Sequence, residues 1–342
     1  SFLTLSTYMH RIIIVLLTTI YVTHSIQIPI GIDVYPSEPV WNDNLGAPFM
    51  FKVKGTYYMI GAGSRLTRNK DIFPSLISDD LRVWNYSGDV IKTDNQPGQP
   101  STYWAPEIAE HNQMFYLFYS VGFDDKQHRL RVASSHSPLG PFNDSQAKEL
   151  TNVTSLPFAI DPHPFQDRTD GQWYLFYSRD FFDTNDGYRI GTGIVVDRLV
   201  DNFTRLAGEE KVVLRARHDW QLYQHNRWMY NGTYEWHTLE GAATWQQEKG
   251  EYVCFYSGGN WHNSTYGVDY GVASSPMGPY EEDSNDRARI THSIAGGITG
   301  PGHNSIILGP DGQTTYIAYN AWNQNHTIRS PYISVLNWKT VI

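Results

Sequence analysis

The sequence has almost no cysteine: Cys254 is the only one in 342 residues. A single thiol excludes an internal disulfide framework and any zinc site built from several cysteines. Because Cys254 lies inside an apolar, aromatic run, we expect its side chain to be buried and unreactive. The stability of the fold must therefore come from a packed core, and the chain is long enough to form one.

The chain is also poor in charge, and in positive charge above all. Charged residues make up 18% of the sequence, against about 25% in an ordinary soluble domain. Lys and Arg number 26 and Asp and Glu 35, which gives a net charge of -9. This balance leaves no overall basic surface for a polyanion, so we expect no nucleic-acid partner.

Several common catalytic and structural patterns are absent from the sequence. There is no Gly-x-x-x-x-Gly-Lys-Ser/Thr phosphate loop, no His-Glu-x-x-His zinc helix and no Gly-x-Ser-x-Gly elbow. No segment sustains a 3.6-residue apolar period, so helices should be few. Aromatic residues are abundant instead, at 14% of the chain. That excess suits sheets and carbohydrate-stacking surfaces.

One apolar run stands out, and it lies near the N-terminus. Met9, His10 and Arg11 precede an apolar stretch over residues 12–22, followed by Thr23-His24-Ser25. This pattern predicts a secretory signal peptide over residues 1–25. The stretch is shorter than the roughly 20 residues that span a bilayer, although a membrane anchor or a buried strand is the alternative. Residues 1–8, ahead of the first Met, are set aside as a possible gene-model artefact.

Glycosylation signals support secretion. Seven Asn-x-Ser/Thr sequons follow the predicted signal peptide, and such sequons mark surface loops of secreted proteins. We therefore expect an extracellular, glycosylated monomer without membrane association after signal cleavage. The sequon asparagines are Asn85, Asn143, Asn152, Asn202, Asn231, Asn263 and Asn325.

A repeated phrase predicts the fold. A turn residue followed by an aromatic-rich, alternating strand occurs five times, at intervals of roughly 60 to 80 residues, a period typical of β-propellers with long loops. We predict an all-β, five-bladed β-propeller that forms a single domain over residues 26–342. The alternative is an unrelated β-sandwich with coincidentally similar hairpins. The five phrases begin at Gly55, Asn112, Gly171, Gly250 and Gly312.

Polar and aromatic residues precede four of these phrases at similar distances. Because the inner strands of a propeller converge on one axis, residues at the starts of those strands should meet at one face. Two carboxylates in an axial pocket are what glycoside hydrolysis needs, one to protonate the leaving oxygen and one to activate water. The converging residues are Trp104, Glu107, Asp161, Glu240 and His303.

Four motifs together resemble glycoside hydrolase family 43. They are Trp104-Ala-Pro-Glu107, Asp161-Pro-His-Pro-Phe165, Leu239-Glu240-Gly241 and Gly300-Pro-Gly-His303-Asn-Ser305, and the resemblance runs from about residue 40 to Trp338. It implies a five-bladed propeller that cleaves α-L-arabinofuranosyl or β-D-xylosyl linkages in plant-type polysaccharides with inversion. Arabinan, arabinoxylan, xylo-oligosaccharides and some galactans are substrates of that family.

The resemblance also implies roles for individual residues. Glu240 corresponds to the general acid, and Asp161 to the carboxylate that orients this acid and raises its pKa. His303 corresponds to an axial histidine that approaches a calcium ion through water, although a packed core histidine is an equal alternative.

Three further residues are assigned to substrate binding. Trp104 is expected to stack on a sugar ring, with a place in the propeller core as its alternative. Glu107 and Arg329 are expected to contact the substrate, Arg329 as a clamp.

One position departs from the family pattern. The family's general base is an Asp in the first blade, and here the aligned residue is Ala47. Asp43, four residues upstream, is a candidate substitute base. The open alternatives are a hydrolase with a relocated base, a glycan-binding propeller without turnover, and an altered residue in an otherwise normal enzyme. A propeller that only binds other proteins is a further alternative, but it would not explain why Asp161 and Glu240 are present.

Overall fold

The structure is a computed structural model that describes residues 25–63, 72–93, 97–283 and 285–341. The predicted signal peptide, apart from its last residue, lies outside the described residues. Within them the regular secondary structure is almost entirely β-strand, as the sequence predicts. No helix in this part of the chain is long and apolar enough to cross a membrane. The helices of this part are three single 3-10 turns, at Asp144–Gln146, Asn185–Gly187 and Asp219–Gln221.

The strands form the predicted five blades. Strand β1 covers Ile26–Ile32. Blade 1 consists of β2 (Gly46–Val53), β3 (Thr56–Ala62), β4 (Pro74–Ser78) and β5 (Asn85–Asp89). After β6 (Ile91–Lys92), blade 2 is built from β7 (Thr102–His111), β8 (Met114–Phe123), β9 (Lys126–Ser135) and, beyond β10 (Phe142–Asn143), β11 (Lys148–Glu149).

The remaining three blades follow the same plan. Blade 3 is built from β12 (Ala159–Gln166), β13 (Trp173–Phe181), β14 (Gly191–Val200), β15 (Arg205–Leu206) and β16 (Lys211–Leu214). Blade 4 is built from β17 (Leu222–Met229), β18 (Gly232–Gln246), β19 (Tyr252–Gly258) and β20 (Gly267–Ala273). Blade 5 is built from β21 (Thr299–Leu308), β22 (Thr315–Trp322) and β23 (Arg329–Val341).

The two ends of the described chain meet in one blade. Strand β1 pairs antiparallel with β23, from Ile26 opposite Val341 to Ile32 opposite Leu336. Blade 5 therefore takes its outer strand from the start of the chain and its other three strands from the end. This pairing closes the ring of blades.

Five apolar clusters hold the blades together, each between two neighbouring blades. Phe118 of blade 2 packs with Tyr177 of blade 3, for example, and Phe255 of blade 4 with Tyr319 of blade 5. The repeated aromatic phrases supply these rings because the second strand of each blade is buried on both faces. Cys254 lies in the cluster between blades 3 and 4 and is fully buried, as predicted.

In each blade the strand nearest the axis carries a β-bulge at the same place. These strands are β2, β7, β12, β18 and β21. The pairing register shifts there, and one residue adopts a left-handed conformation with φ between 47° and 61°. Bulges of this kind re-aim a side chain. Ala47 in blade 1 is therefore the structural counterpart of Asp161 in blade 3. The five bulge residues are Ala47, Ala105, Asp161, Gly241 and His303.

Blades 3 and 4 are joined by an additional pairing. Strand β14 runs parallel to β18, with Gly191 opposite His237. A side chain at Gly191 (φ 145°) would place its Cβ 1.8 Å from the carbonyl oxygen of His237, so glycine is required there. The β17–β18 hairpin is an extra feature of blade 4, and it accounts for the longest interval between repeated phrases.

Candidate active site

The five bulges surround an axial cavity of about 790 Å³. Every blade contributes to its lining, including Ala47 of blade 1, Trp104 of blade 2, Asp161 of blade 3, Glu240 of blade 4 and His303 of blade 5. Cross-blade hydrogen bonds fix these positions, because backbone groups next to a bulge cannot pair within their own ladder. Predicted site residues from four distant parts of the sequence thus share one hollow large enough for a sugar.

The two predicted catalytic carboxylates lie side by side. One oxygen of Asp161, one of Glu240 and a ring nitrogen of His303 all lie within 4.8 Å of one another. Asp161 Oδ2 accepts a hydrogen bond from the backbone N–H of Gly241 at 2.9 Å. The hydroxyl of Tyr266 donates to Glu240 Oε1 at 2.7 Å. Each carboxylate is therefore held by a partner outside its own strand.

Burial sets the protonation of this group. Removal from water raises the pKa of Glu240, against the opposing effects of the Tyr266 hydrogen bond and the Arg329 charge. Burial, and then the charge of Glu240, raise the pKa of Asp161. Burial lowers the pKa of His303 to about 3, so its imidazole is neutral at physiological pH. The site can therefore hold a protonated carboxyl group beside a second carboxylate.

Arg329 lies in the same cavity, near Glu240, Asp161 and Tyr266. Its guanidinium carbon lies 5.0 Å from the ring centre of Trp261 and 5.5 Å from that of Tyr266. Its Nε and Nη2 atoms are buried and have no hydrogen-bond partner among the described residues. Buried donors of this kind are costly unless a ligand pairs with them. Arg329 is thus placed to bind the hydroxyl groups of a substrate.

Trp104 presents one face to the cavity. Its other face stacks on His128, with ring centres 3.8 Å apart and planes at 17°. The indole is only partly buried and lines the cavity wall. A tryptophan held in this way forms a rigid platform for the apolar face of a sugar.

Neither Ala47 nor Asp43 supplies a base in the cavity. Ala47 lines the cavity, and its backbone N–H donates to Asn320 Oδ1 at 3.2 Å. Its methyl group cannot accept a proton. Asp43, the predicted substitute, is not among the lining residues, and its carboxylate accepts from the backbone N–H of Asn44 at 2.7 Å. The structure thus gives Asp43 a local role in the loop before β2 and does not place it at the site.

Comparison with known proteins shows where this architecture belongs. A family model described as "Glycosyl hydrolases family 43" matches residues 36–340. The chain belongs to this family. The match takes in all five blades except β1 and the last residue of β23, and it includes every residue of the cavity described above.

Several relatives of this family 43 chain are named proteins. It is 28% identical over 279 residues to "Beta-D-galactofuranosidase xynD" of Aspergillus niger, covering 78% of this chain and 70% of that protein. It is 25% identical over 316 residues to "Extracellular endo-alpha-(1->5)-L-arabinanase 1" of Bacillus subtilis, covering 87% of each. The crystal structure of a thermostable family-43 glycoside hydrolase covers 90% of this chain and 96% of its own, with 26% identity and a TM-score of 0.72.

Glu107 is placed differently from the prediction, which assigned it to substrate binding. It lies beyond the bulge of β7, does not line the cavity, and accepts a hydrogen bond from His163 Nδ1 at 2.7 Å. The backbone N–H of Thr244 donates to His163 Nε2 at 2.9 Å, which fixes the proton on Nδ1. Glu107 and His163 thus tie together the first strands of blades 2, 3 and 4.

Removing Glu107 should therefore cost stability. We expect Glu107→Ala to lower the free energy of unfolding by about 1–3 kcal/mol, because it leaves the buried N–H of His163 without its acceptor. The measurement is urea denaturation followed by tryptophan fluorescence. Glu107→Gln keeps an acceptor and should cost less, and a change below about 1 kcal/mol in Glu107→Ala would contradict the bracing role.

Several cavity residues of this family 43 chain escape the sequence reasoning. It considers residues ahead of each repeated phrase, whereas Asp180 follows the phrase that ends in Tyr177-Ser178. The inner ends of second strands also reach the cavity, so positions just after the phrases are the signal that could find them. The missed residues with polar or aromatic side chains at the site include Asp180, Tyr223, Arg227, Trp261, Tyr266 and Trp322.

Proposed function

We propose that this family 43 chain hydrolyses α-L-arabinofuranosyl or β-D-xylosyl linkages in plant-type polysaccharides and oligosaccharides, with inversion at the anomeric carbon. The observation that carries this proposal is the buried pair of Asp161 and Glu240 in a sugar-sized cavity that also holds the unpaired donors of Arg329. One relative is by its name a galactofuranosidase and another an L-arabinanase, which supports a furanoside or an arabinoside first.

The two carboxyl groups take different parts in the reaction. Glu240, whose pKa burial raises, donates its proton to the departing glycosidic oxygen. Asp161 lies within 4.8 Å of Glu240, whereas inversion needs a gap of about 6.5–9.5 Å between acid and base to hold the attacking water. Asp161 is therefore suited to orient Glu240 and to favour its protonated form, rather than to activate water.

The β17–β18 hairpin supports cleavage at chain ends. Arg227 of this hairpin forms an ion pair with Asp125 of blade 2, with Nη2 and Oδ2 3.4 Å apart. Blades 2 and 4 are separated by blade 3, so this contact crosses the mouth of the cavity above blade 3. Tyr230 at the end of the same hairpin donates to Asp180 of blade 3. A polysaccharide cannot run past this wall, so we infer removal of terminal residues.

Product analysis tests this direction of attack. We expect the enzyme to release only monosaccharide from arabino- or xylo-oligosaccharides at early times, because the Asp125–Arg227 contact closes one end of the binding site. A label on the reducing end should then stay on a chain that shortens by one residue at a time. Chromatography of the labelled products measures this. Intermediate oligosaccharides that arise together, without stepwise shortening, would contradict the closed pocket.

Trp104 should govern affinity. We expect Trp104→Ala to raise KM by about 5- to 150-fold, from the loss of about 1–3 kcal/mol of ring burial and stacking, with little change in kcat. Steady-state kinetics on an aryl glycoside measure both constants. Trp104→Phe keeps an aromatic face and is the matched control; an unchanged KM in Trp104→Ala would contradict a platform role.

Secretion and glycosylation belong to the same proposal. Six of the seven sequon asparagines are exposed, whereas Asn143 is half-buried and accepts a hydrogen bond from the backbone N–H of Ser145. We propose N-glycans at the exposed positions of a secreted monomer. Expression in a eukaryotic host, followed by peptide-N-glycosidase treatment and mass spectrometry, tests this, and an unchanged mass would contradict it.

We also propose a calcium ion at the axis, bound directly by only a few protein atoms. Ca²⁺ takes six to eight oxygen ligands, and the described acidic groups near His303 are only Asp161 and Glu240. Such an ion would keep most of its ligands as water, with the neutral His303 imidazole meeting one of them. Elemental analysis of the purified protein tests this, and less than stoichiometric calcium would contradict it.

Activity itself is tested with a panel of aryl glycosides. We expect the wild type to turn over an α-L-arabinofuranoside, a β-D-xyloside or a β-D-galactofuranoside, and Glu240→Gln to lose activity on arabinan and xylan. Absence of turnover in the wild type on all three substrates and on arabinan and xylan would overturn the proposed function.

A further inference from the structure

The cavity contains a carboxylate, Asp180, to which the resemblance to family 43 gives no role. Asp180, near the end of β13, lines the cavity with Asp161, Glu240 and Ala47. Its side chain is largely buried at 9% exposure. Oδ2 accepts a hydrogen bond from the Tyr230 hydroxyl at 2.7 Å, and Oδ1 is buried without a hydrogen-bond partner among the described residues. A buried carboxylate oxygen left unpaired has its lone pairs available to a ligand.

Strand register places Asp180 at a suitable distance from Glu240. Thr192 of β14 pairs with Asp180 on one side and with Thr238 of β18 on the other, two residues before Glu240. Two strand spacings of about 4.8 Å and two residue rises of about 3.3 Å put the two Cα atoms on the order of 12 Å apart. Register partners point to the same face of a sheet, and both side chains line the cavity. A gap of about 6.5–9.5 Å, as inversion requires, fits that arrangement.

The other carboxylates of the cavity are committed elsewhere. Asp161 and Glu240 form the close pair described above. Asp125 is engaged by Arg227, and its side chain is 60% exposed. Asp180 is thus the remaining carboxylate of the described lining that combines burial with an unpaired oxygen.

We propose that Asp180 is the general base of this chain, in place of the carboxylate that Ala47 lacks. The proposal rests on the proposed function. A water molecule held by Oδ1 attacks the anomeric carbon and passes one proton to Asp180. The bond between the anomeric carbon and the glycosidic oxygen breaks as Glu240 gives its proton to that oxygen. Exchange with solvent then returns the proton to Glu240 and removes the other from Asp180.

The surroundings of Asp180 suit a base at neutral pH. Burial raises the pKa of Asp180 to about 6, while the hydrogen bond from Tyr230 and the charges of Arg227 and Arg179 oppose this rise. A side-chain hydrogen bond from Thr192, its register partner, opposes it as well. A base must be ionised, so kcat/KM should fall as the pH drops through about 6. Tyr230→Phe removes one opposing interaction and should move this acidic limb to higher pH.

Loss of the base is the direct test. We expect Asp180→Ala and the similarly sized Asp180→Asn to lower kcat by about 10²–10⁴-fold, with KM changed much less and the circular dichroism spectrum unchanged. Azide should accelerate Asp180→Ala and yield a glycosyl azide of inverted configuration, because the small anion replaces the activated water. Asp186→Asn, on an exposed turn outside the cavity, is the matched control and should behave as wild type.

A second-site variant makes the test specific. Ala47 has the same left-handed conformation as Asp161, so an acidic side chain is tolerated at this position. We expect Ala47→Asp to restore activity to Asp180→Ala, whereas Ala47→Asn should not. Wild-type activity in Asp180→Ala, or a loss that neither azide nor Ala47→Asp relieves, would overturn the assignment while leaving the proposed function intact. An inert wild type would instead overturn the proposed function.

Discussion

Replacing Glu240 by Gln should lower kcat on natural linkages by about 10²–10⁴-fold. The amide cannot donate a proton to the leaving oxygen, although it has nearly the same size and can still accept the hydrogen bond from Tyr266. The fold should therefore be unchanged, and so should the affinity for a non-hydrolysed oligosaccharide. Steady-state kinetics and calorimetric titration of the ligand measure the two quantities separately.

The leaving group provides the control for this prediction. A dinitrophenolate departs without protonation, so a dinitrophenyl glycoside does not need the general acid. Glu240→Gln should therefore lose far less activity on this substrate than on an oligosaccharide. Equal losses on both substrates would contradict the assignment of Glu240 as the acid and would indicate a general disruption of the cavity.

Asp161→Asn is expected to lower kcat by about 10²-fold or more, through two effects on Glu240. In the proposed mechanism Asp161 orients the acid from within 4.8 Å, and a negative charge at this distance disfavours a second one on Glu240. Asparagine can still accept the hydrogen bond from the Gly241 N–H, so we expect the bulge to persist. The decrease in kcat should appear at neutral pH, where the acid must still carry its proton.

The pH profile separates these two effects. A general acid is active below its pKa, so the alkaline limb of kcat reports the pKa of Glu240 in the complex. Removing the neighbouring negative charge lowers this pKa, while Arg329, Tyr266, Arg227 and the neutral His303 remain. The alkaline limb of Asp161→Asn should therefore move to lower pH. A limb that stays in place or moves upward would contradict the role of Asp161 in setting the protonation of Glu240.

The sequence predicts the fold well because each blade repeats the same buried strand. The aromatic phrases fall in the second strand of all five blades, and they supply rings to the layers between blades. The closure of the ring by β1 and the β17–β18 hairpin were not predictable in the same way. Both depend on contacts between segments that carry no repeated pattern.

Position along a strand predicts most of the candidate site residues correctly. Asp161, Glu240, His303 and Trp104 line the cavity because they lie at the bulges or next to them, and Arg329 reaches it from the start of β23.

Two acidic residues show why the remainder could not be predicted. Glu107 lies past its bulge, where the two-residue alternation of the strand turns the side chain away from the cavity. Asp180 belongs to a second strand, and only the register between blades 3 and 4 brings it near Glu240.

The stereochemistry of the first-formed product tests the central claim most directly, namely that Glu240 acts as the acid across a water-filled gap from a separate base. Proton NMR of the anomeric signals during the first turnovers distinguishes the two anomers before mutarotation mixes them. We predict that the anomer of inverted configuration appears first. A retained configuration would mean a covalent intermediate on a closely placed carboxylate such as Asp161, and would contradict the account.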